Sequence, residues 1–185
     1  MICVNQDAGG HAGTKKPDTL FKELQEFDVP LVSAGGVGDE YQLKERLDMG
    51  YSAVQMGTRF IATTECQVRP EYHEAILNAK EEDIALTDAL SGVPYSIISN
   101  EATASMLKPS GRITRFLLQN RYFKHWMRAL YTLRSIALLK NSSTDKKAFL
   151  SYRHPDIFQA GKSVDTIDTV CSVKEFMDRC KSCVE

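Results

Sequence analysis

The residues of this sequence best suited to chemistry lie in three glycine-rich turns. The first turn holds His11, with Gly9, Gly10 and Gly13 around it. An imidazole, whose ordinary pKa is about 6.5, can take or give a proton at neutral pH. A lone histidine in a loop is more often exposed and idle, but this one follows an expected strand and stands near two further glycine turns. We therefore interpret His11 as a candidate general base.

The other two turns are candidates for binding a phosphate. Gly35-Gly36 and Gly57-Thr58 each come after an apolar run. Backbone N–H groups that converge at such a turn bind phosphate well, and glycine lets the chain approach closely. The hydroxyl of Thr58 adds a donor. The alternative is two tight turns that bind nothing, but their adjacency favours a cleft into which the N–H groups of Gly36, Gly57 and Thr58 point.

Short elements of alternating type must position these turns. Apolar runs predict strands near residues 2–5, 30–34 and 52–56, and apolar periodicity predicts helices over 18–27 and 39–49. Strand, glycine turn and helix in this order predict parallel neighbouring strands with the helices on one face. All three turns then fall at the carboxy ends of the strands, where ligands bind in such folds.

The remainder of the chain has a mostly helical pattern. We predict helices over residues 70–80 and 172–183, and a long basic helical stretch over 112–140. The basic stretch could lie on a membrane or hold an anion, but it is more typical of a solvated face on a packed helical subdomain. We divide the chain into a β/α region, residues 1–100, and a mostly helical region, residues 101–185, that packs on it.

Composition excludes several classes of protein. A chain of 185 residues with a formal net charge of −1 fits one globular domain and favours neither nucleic acid nor an acidic surface as partner. No apolar run is long enough to span a bilayer, and residues 1–15 lack the layout of a signal peptide, so we expect a cytoplasmic protein without a membrane partner.

The five cysteines are expected to be reduced thiols. Their odd number, without a secretory signal, argues against a disulfide framework. Cys171, Cys180 and Cys183 could bind zinc, but a fourth ligand at sensible spacing is absent. We therefore predict no metal site.

Three strings in the chain resemble successive motifs of one enzyme family. These are Asn5-Gln-Asp-Ala-Gly-Gly-His-Ala-Gly13, Pro30-Leu-Val-Ser-Ala-Gly-Gly-Val37 and Val54-Gln-Met-Gly-Thr-Arg-Phe60. In order, spacing and context they resemble the nitronate monooxygenase family, formerly called 2-nitropropane dioxygenase. The string Gln159-Ala-Gly-Lys-Ser163 is similar to a short turn near the family's carboxy end, and is a weaker match.

The resemblance implies an FMN enzyme on a TIM (β/α)₈ barrel, and implies that residues 1–100 are a partial FMN-binding barrel. The family's catalytic histidine corresponds to His11, a base that removes the proton next to a nitro group, or helps to hold a substrate that is already an anionic nitronate. The implied partners are a small nitronate or nitroalkane and oxygen. The positions implied to contact the flavin are Gly9, Gly35, Gly36, Gln55, Met56, Gly57 and Thr58.

One departure from the family pattern concerns the number of strands. The family's barrel has eight, and the motif with His11 follows the sixth, so the chain is expected to be the carboxy-terminal part of the barrel, its last three βα units, with an added helical segment. An open remnant would expose a long apolar edge. Either the full gene product is longer, or a partner supplies the remainder, or the fragment is inactive; a truncated chain or an incomplete gene prediction is the simplest explanation.

Two alternatives to nitronate oxidation stay open. Flavin-dependent enoyl-acyl-carrier-protein reductases have similar Ala-Gly-Gly-His and Gly-Thr-Arg-Phe strings, and would use a nicotinamide donor. The other alternative is a non-catalytic barrel remnant that folds only with a partner. The physiological substrate and the oligomeric state, a homo-oligomer included, also stay open.

Overall fold

A computed structural model describes residues 1–87, 94–101, 103–104 and 157–185. Within these ranges six strands form two three-stranded sheets. The strands are β1 (Ile2–Val4), β2 (Gly10–His11), β3 (Val32–Ala34), β4 (Ala53–Gln55), β5 (Ile84–Thr87) and β6 (Tyr95–Ile98). The helices are α1 (Pro17–Leu24), α2 (Glu40–Asp48), α3 (Thr58–Ile61), α4 (Pro70–Asn78) and α5 (Val173–Val184).

The first sheet is parallel, with the order β1-β3-β4. Cys3 pairs with Ser33, and Ser33 with Val54, so the predicted strands are neighbours in the predicted direction. The crossovers are α1, extended by a 3-10 turn to Phe27, and α2, whose first turn is capped by Asp39 accepting from the Gln42 N–H at 2.7 Å. The prediction of three parallel neighbouring strands with helices between them is therefore confirmed.

One face of the parallel sheet is covered and the other is open. Cys3 is buried with Leu31 and Tyr51 against the apolar side of α1, and the Tyr51 hydroxyl donates to the Pro17 carbonyl at 2.7 Å. Side chains alternate across a strand, so Ile2 and Val4 lie on the opposite face, where they are 61% and 43% exposed. The face that carries Ile2 and Val4 is thus exposed along β1.

The second sheet is antiparallel and holds His11. β6, buried along its whole length, pairs with β5 on one side and with β2 on the other, with His11 opposite Tyr95. The sequence placed His11 in a glycine-rich turn, and this part of the prediction is wrong. Gly10, whose φ is 69°, and His11 instead pair with a strand far along the chain, an interaction that local periodicity does not contain.

The carboxy-terminal helix packs on the end of the first sheet. α4 and α5 confirm the helices predicted at 70–80 and 172–183. Phe176 of α5 is fully buried beside Cys171 and Cys180, so these two thiols contribute to an apolar cluster. The predicted helix at 112–140 lies outside the described residues, and the division at residue 100 stays a prediction. No helix in the described ranges is both long and apolar enough to cross a membrane.

Candidate functional site

A cavity of about 190 Å³ opens at the carboxy ends of the parallel strands. All eight residues singled out from the sequence line it. They are His11, Gly9, Gly35, Gly36, Gln55, Met56, Gly57 and Thr58. The structure also brings to the cavity Gln159 and Ser163, which sequence reasoning did not select; the string that contains both was recognised only as a weakly matching turn.

Three backbones meet on one side of the cavity, at what we call the packed glycine contact: Gly9, Gly35 and Gly161. A Cβ at Gly35 would lie 2.6 Å from the backbone of Ala8, and one at Gly161 would lie 2.6 Å from the Gly9 nitrogen. Gly35 also has a φ of 109°, a backbone angle that residues with a side chain rarely adopt. Glycine is required here so that the loops can touch.

A buried asparagine ties the loop of His11 to the turn after β3. The Asn5 side chain is fully buried; its Nδ2 donates to the Gly35 carbonyl at 2.9 Å and its Oδ1 accepts from the Asp7 N–H at 2.9 Å. The Asp7 carbonyl in turn accepts from the Lys162 N–H at 3.0 Å. Backbone hydrogen bonds and one amide therefore hold the three loops around the cavity in a fixed relation.

The other side of the cavity is the open glycine turn, Gly57 and Thr58. Among the described residues other than its two chain neighbours, no atom lies within 4 Å of a Cβ built on Gly57, and its φ of −112° is one that any residue adopts. Within this part of the chain, neither backbone strain nor packing requires glycine at this position. The buried Thr58 accepts the Gly161 N–H at its Oγ1, at 3.0 Å, so its own proton remains to be donated.

His11 lies at the rim of the cavity with its ring held by an aromatic neighbour. The imidazole is exposed, and the ring of Tyr95 meets it edge to face, with centroids 5.1 Å apart and planes at 88°. The Tyr95 hydroxyl donates to Gln159 Oε1 at 2.6 Å. Imidazole, phenol and amide thus form one contiguous group at the cavity.

Comparison with known proteins decides the family. The sequence profile of nitronate monooxygenase matches residues 1–180. The chain belongs to the nitronate monooxygenase family. A probable nitronate monooxygenase of Staphylococcus haemolyticus is 30% identical over 132 residues, and one of Staphylococcus saprophyticus is equally similar. These matches cover 65% of this chain and 37% of each relative, so the chain spans well under half the length of the curated relatives it matches.

Solved structures share the fold with this family member. FabK from Thermotoga maritima superposes with a TM-score of 0.70 at 24% identity, covering 99% of this chain and 53% of that one. A nitroalkane oxidase from Streptomyces ansochromogenes superposes with a TM-score of 0.67 at 20% identity, covering 99% and 50%. Both neighbours are TIM-barrel enzymes. At these sequence identities the structural similarity shows a shared α/β fold. The activity has to be inferred from the residues of the site.

One part of the Gln-Met-Gly-Thr-Arg-Phe string of this family member faces away from the cavity. Arg59 is 1% exposed, donates to the carbonyls of Ala62 and Thr169, and stacks on the Phe176 ring with 5.5 Å from Cζ to the centroid. Burial lowers the pKa of this guanidinium below its ordinary value. The arginine therefore anchors α5 to the turn that carries Gly57.

A larger groove lies elsewhere and is the weaker candidate. It measures about 690 Å³, is open to solvent between α2 and α5, and is lined mainly by charged side chains such as Glu40, Lys174 and Arg179. Ligands in parallel β/α folds bind beyond the carboxy ends of the strands. Only the smaller of the two cavities has that position, and it is the better candidate for the site.

Proposed function

We propose that this chain provides the phosphate-binding wall and the proton-handling histidine of an FMN-dependent nitronate monooxygenase. The observation that supports the proposal most strongly is the open glycine turn, because no packing contact in the described part of the chain requires glycine at Gly57. A bound group next to Gly57 would explain why a residue without a side chain is present there. Family membership indicates which group to expect, a flavin.

The residues present fit a flavin phosphate. A side chain at Gly57 would fill the space into which the cavity opens, and the Thr58 hydroxyl has a proton to donate there. Gly36, on the neighbouring strand's turn, lines the same cavity. Backbone N–H groups and a hydroxyl are the donors that bind phosphate in such turns. The direction of the Gly36, Gly57 and Thr58 N–H groups stays a prediction.

We assign the proton transfer to His11 and further contacts with the flavin to Gly9, Gly35, Gln55 and Met56. With a neutral nitroalkane, His11 would accept the proton on the carbon next to the nitro group; with a nitronate it would help to hold the anion. The flavin, when bound, supplies the electron transfer between substrate and oxygen.

The small volume of the cavity fits a site that this chain builds only in part. Pockets for drug-sized ligands measure roughly 300–1,000 Å³, and this one measures about 190 Å³. The open sheet face with Ile2 and Val4 adjoins it, and the chain covers about half of its solved structural neighbours. We therefore propose that further β/α units complete the barrel and the flavin site, with this chain as the carboxy-terminal part.

A comparison of two flavins in two variants tests the proposal. FMN and riboflavin, which lacks the phosphate, are titrated into the purified chain and followed by flavin fluorescence. Gly57→Asp puts bulk and negative charge beside the proposed phosphate, and two charges about 4 Å apart repel by roughly 1–4 kcal/mol. We expect FMN to bind about 5- to 1,000-fold more weakly to this variant, with riboflavin much less affected.

Ser52→Asp is the matched control. Ser52 is exposed and immediately precedes β4, at the end of that strand away from the cavity. The substitution therefore adds the same charge at a distance from the site. FMN affinity should not change in that variant. If Gly57→Asp leaves FMN affinity intact, the proposal is wrong. If the protein oxidises a reduced nicotinamide in the presence of an enoyl thioester but does not oxidise a nitronate, the enoyl reductase function replaces the proposed one.

A further inference from the structure

Gln159 is fixed in place from three directions. Its carbonyl accepts from the hydroxyl of Tyr72 at 2.5 Å, its backbone bridges to Ile97, and its side chain is bonded to Tyr95. Both tyrosines are more than nine-tenths buried, so their own positions are fixed by packing. A glutamine side chain ordinarily loses rotamer freedom on binding a ligand, and here much of that ordering has already occurred.

The bond to Tyr95 also decides which way the amide points. Oxygen–oxygen hydrogen bonds have lengths of about 2.5–3.0 Å, whereas those from nitrogen are about 2.7–3.2 Å long. The Tyr95 hydroxyl donates to Oε1 of Gln159 at 2.6 Å, an ordinary length for a hydrogen bond between two oxygens. Nε2 lies on the other side, over Gly10, where a Cβ would collide with it. Nothing in the described part of the chain accepts a hydrogen bond from Nε2.

The position of this donor relative to His11 matters. Gln159 and His11 line the same cavity, and Tyr95 touches both, through its ring and through its hydroxyl. An amide N–H donates at every pH, while an imidazole is a donor or an acceptor according to its protonation. A site with both groups can hold an anionic oxygen on the amide while the imidazole handles a proton.

We propose that Gln159 binds the anionic oxygen of the substrate, with Tyr95 as the residue that orients its amide. The substrate class is a small molecule with a planar group of charged oxygens, as a nitronate is. The identity of that substrate rests on the proposed function, but the anion site itself does not. Hydrogen bonds to a charged group contribute about 1.5–3 kcal/mol, which corresponds to roughly 10- to 150-fold in affinity.

The test uses ethylnitronate as the probe, and nitroethane as its neutral counterpart. Both are titrated into the full chain with and without FMN, while the side-chain amide signals of glutamine are followed by NMR. Gln159→Met removes the donor and identifies its signal, and Tyr95→Phe removes only the orienting hydroxyl. Circular dichroism and FMN titration of each variant report the fold and the flavin site separately.

We expect ethylnitronate to shift the Gln159 amide signal and to bind about 10- to 150-fold more weakly to Gln159→Met. Tyr95→Phe should show a smaller loss, and FMN affinity should stay constant in both variants. Equal nitronate affinity in wild type and Gln159→Met would overturn the proposal, as would parallel loss of FMN, which would place Gln159 in the flavin wall. Nitronate binding at Gln159, together with unchanged FMN affinity in Gly57→Asp, would support the anion site and overturn the proposed function.

Discussion

The packed glycine contact and the open glycine turn lie on opposite sides of one cavity, and glycine is present for different reasons in each. At Gly35 and Gly161 an added Cβ would lie within 2.6 Å of a neighbouring backbone, whereas at Gly57 it would meet no atom of the described residues within 4 Å, its chain neighbours apart. The first side needs glycine so that the chain can close on itself. The second side needs it only if something else occupies the space.

This difference separates the energetics of folding from those of binding. A substitution in the packed contact should lower the free energy of unfolding, because the backbones must move apart. A substitution in the open turn should leave that free energy nearly unchanged and alter only what the cavity holds. The two sides can therefore be tested against each other by the same amino-acid change.

The largest expected effect is that of Gly35→Ala. A methyl group at φ of 109° and 2.6 Å from the Ala8 backbone combines strain with overpacking. Each is typically unfavourable by about 1–3 kcal/mol, so we expect a loss of roughly 2–6 kcal/mol. Urea unfolding measures it, with Gly57→Ala as the matched change, expected within about 0.5 kcal/mol of wild type. If both variants lose a similar amount of unfolding free energy, the two sides of the cavity do not differ in their need for glycine.

The next effect concerns catalysis on the open side of the cavity. Removal of a general base typically costs about 10²–10⁴-fold in rate, so His11→Asn in the FMN-loaded protein should lose that much with a neutral nitroalkane. With a nitronate no proton need be removed, and the loss should be smaller. Steady-state rates on both substrates measure the difference. Equal losses on both, or none on either, would exclude His11 as the base.

The smallest effect is expected where one residue serves both sides. The Thr58 hydroxyl accepts the Gly161 N–H of the packed contact and has its proton left for the cavity. Thr58→Val leaves that buried N–H without a partner, which we expect to lower stability by about 1–3 kcal/mol and to weaken FMN binding as well. Thr58→Ser keeps the hydroxyl and should restore both. If Thr58→Val lowers the free energy of unfolding but leaves FMN affinity unchanged, the role of Thr58 is structural only.

Local pattern predicted the parallel half of the fold well. Apolar runs and helical periods located β1, β3 and β4 and the crossovers between them, because both signals are contained within about ten residues of sequence. The two-residue strand at His11 has no such signal. Its partner Tyr95 lies in a stretch whose pattern is mixed, so the second sheet could not be found from periodicity.

The candidate site was predicted as a set of residues but not as a set of roles. Glycine looks the same in sequence at Gly35 and Gly57, and only the atoms around each Cα distinguish contact from open space. Arg59 belongs to the most specific string of the chain, yet it turns toward Phe176. Gln159 was missed because its importance comes from Tyr95 and His11, which are distant in sequence.

The pairing of β2 with β6 has a consequence for the order in which the molecule is made. Ribosomes add roughly 5–20 residues per second, so several seconds separate the synthesis of His11 from that of Tyr95, its partner across the strands. Gly161, which closes the packed contact, follows later still. The parallel strands and their turns can form while the chain is growing, but the cavity between them is assembled last. Ligand binding at this cavity would therefore report the completion of folding.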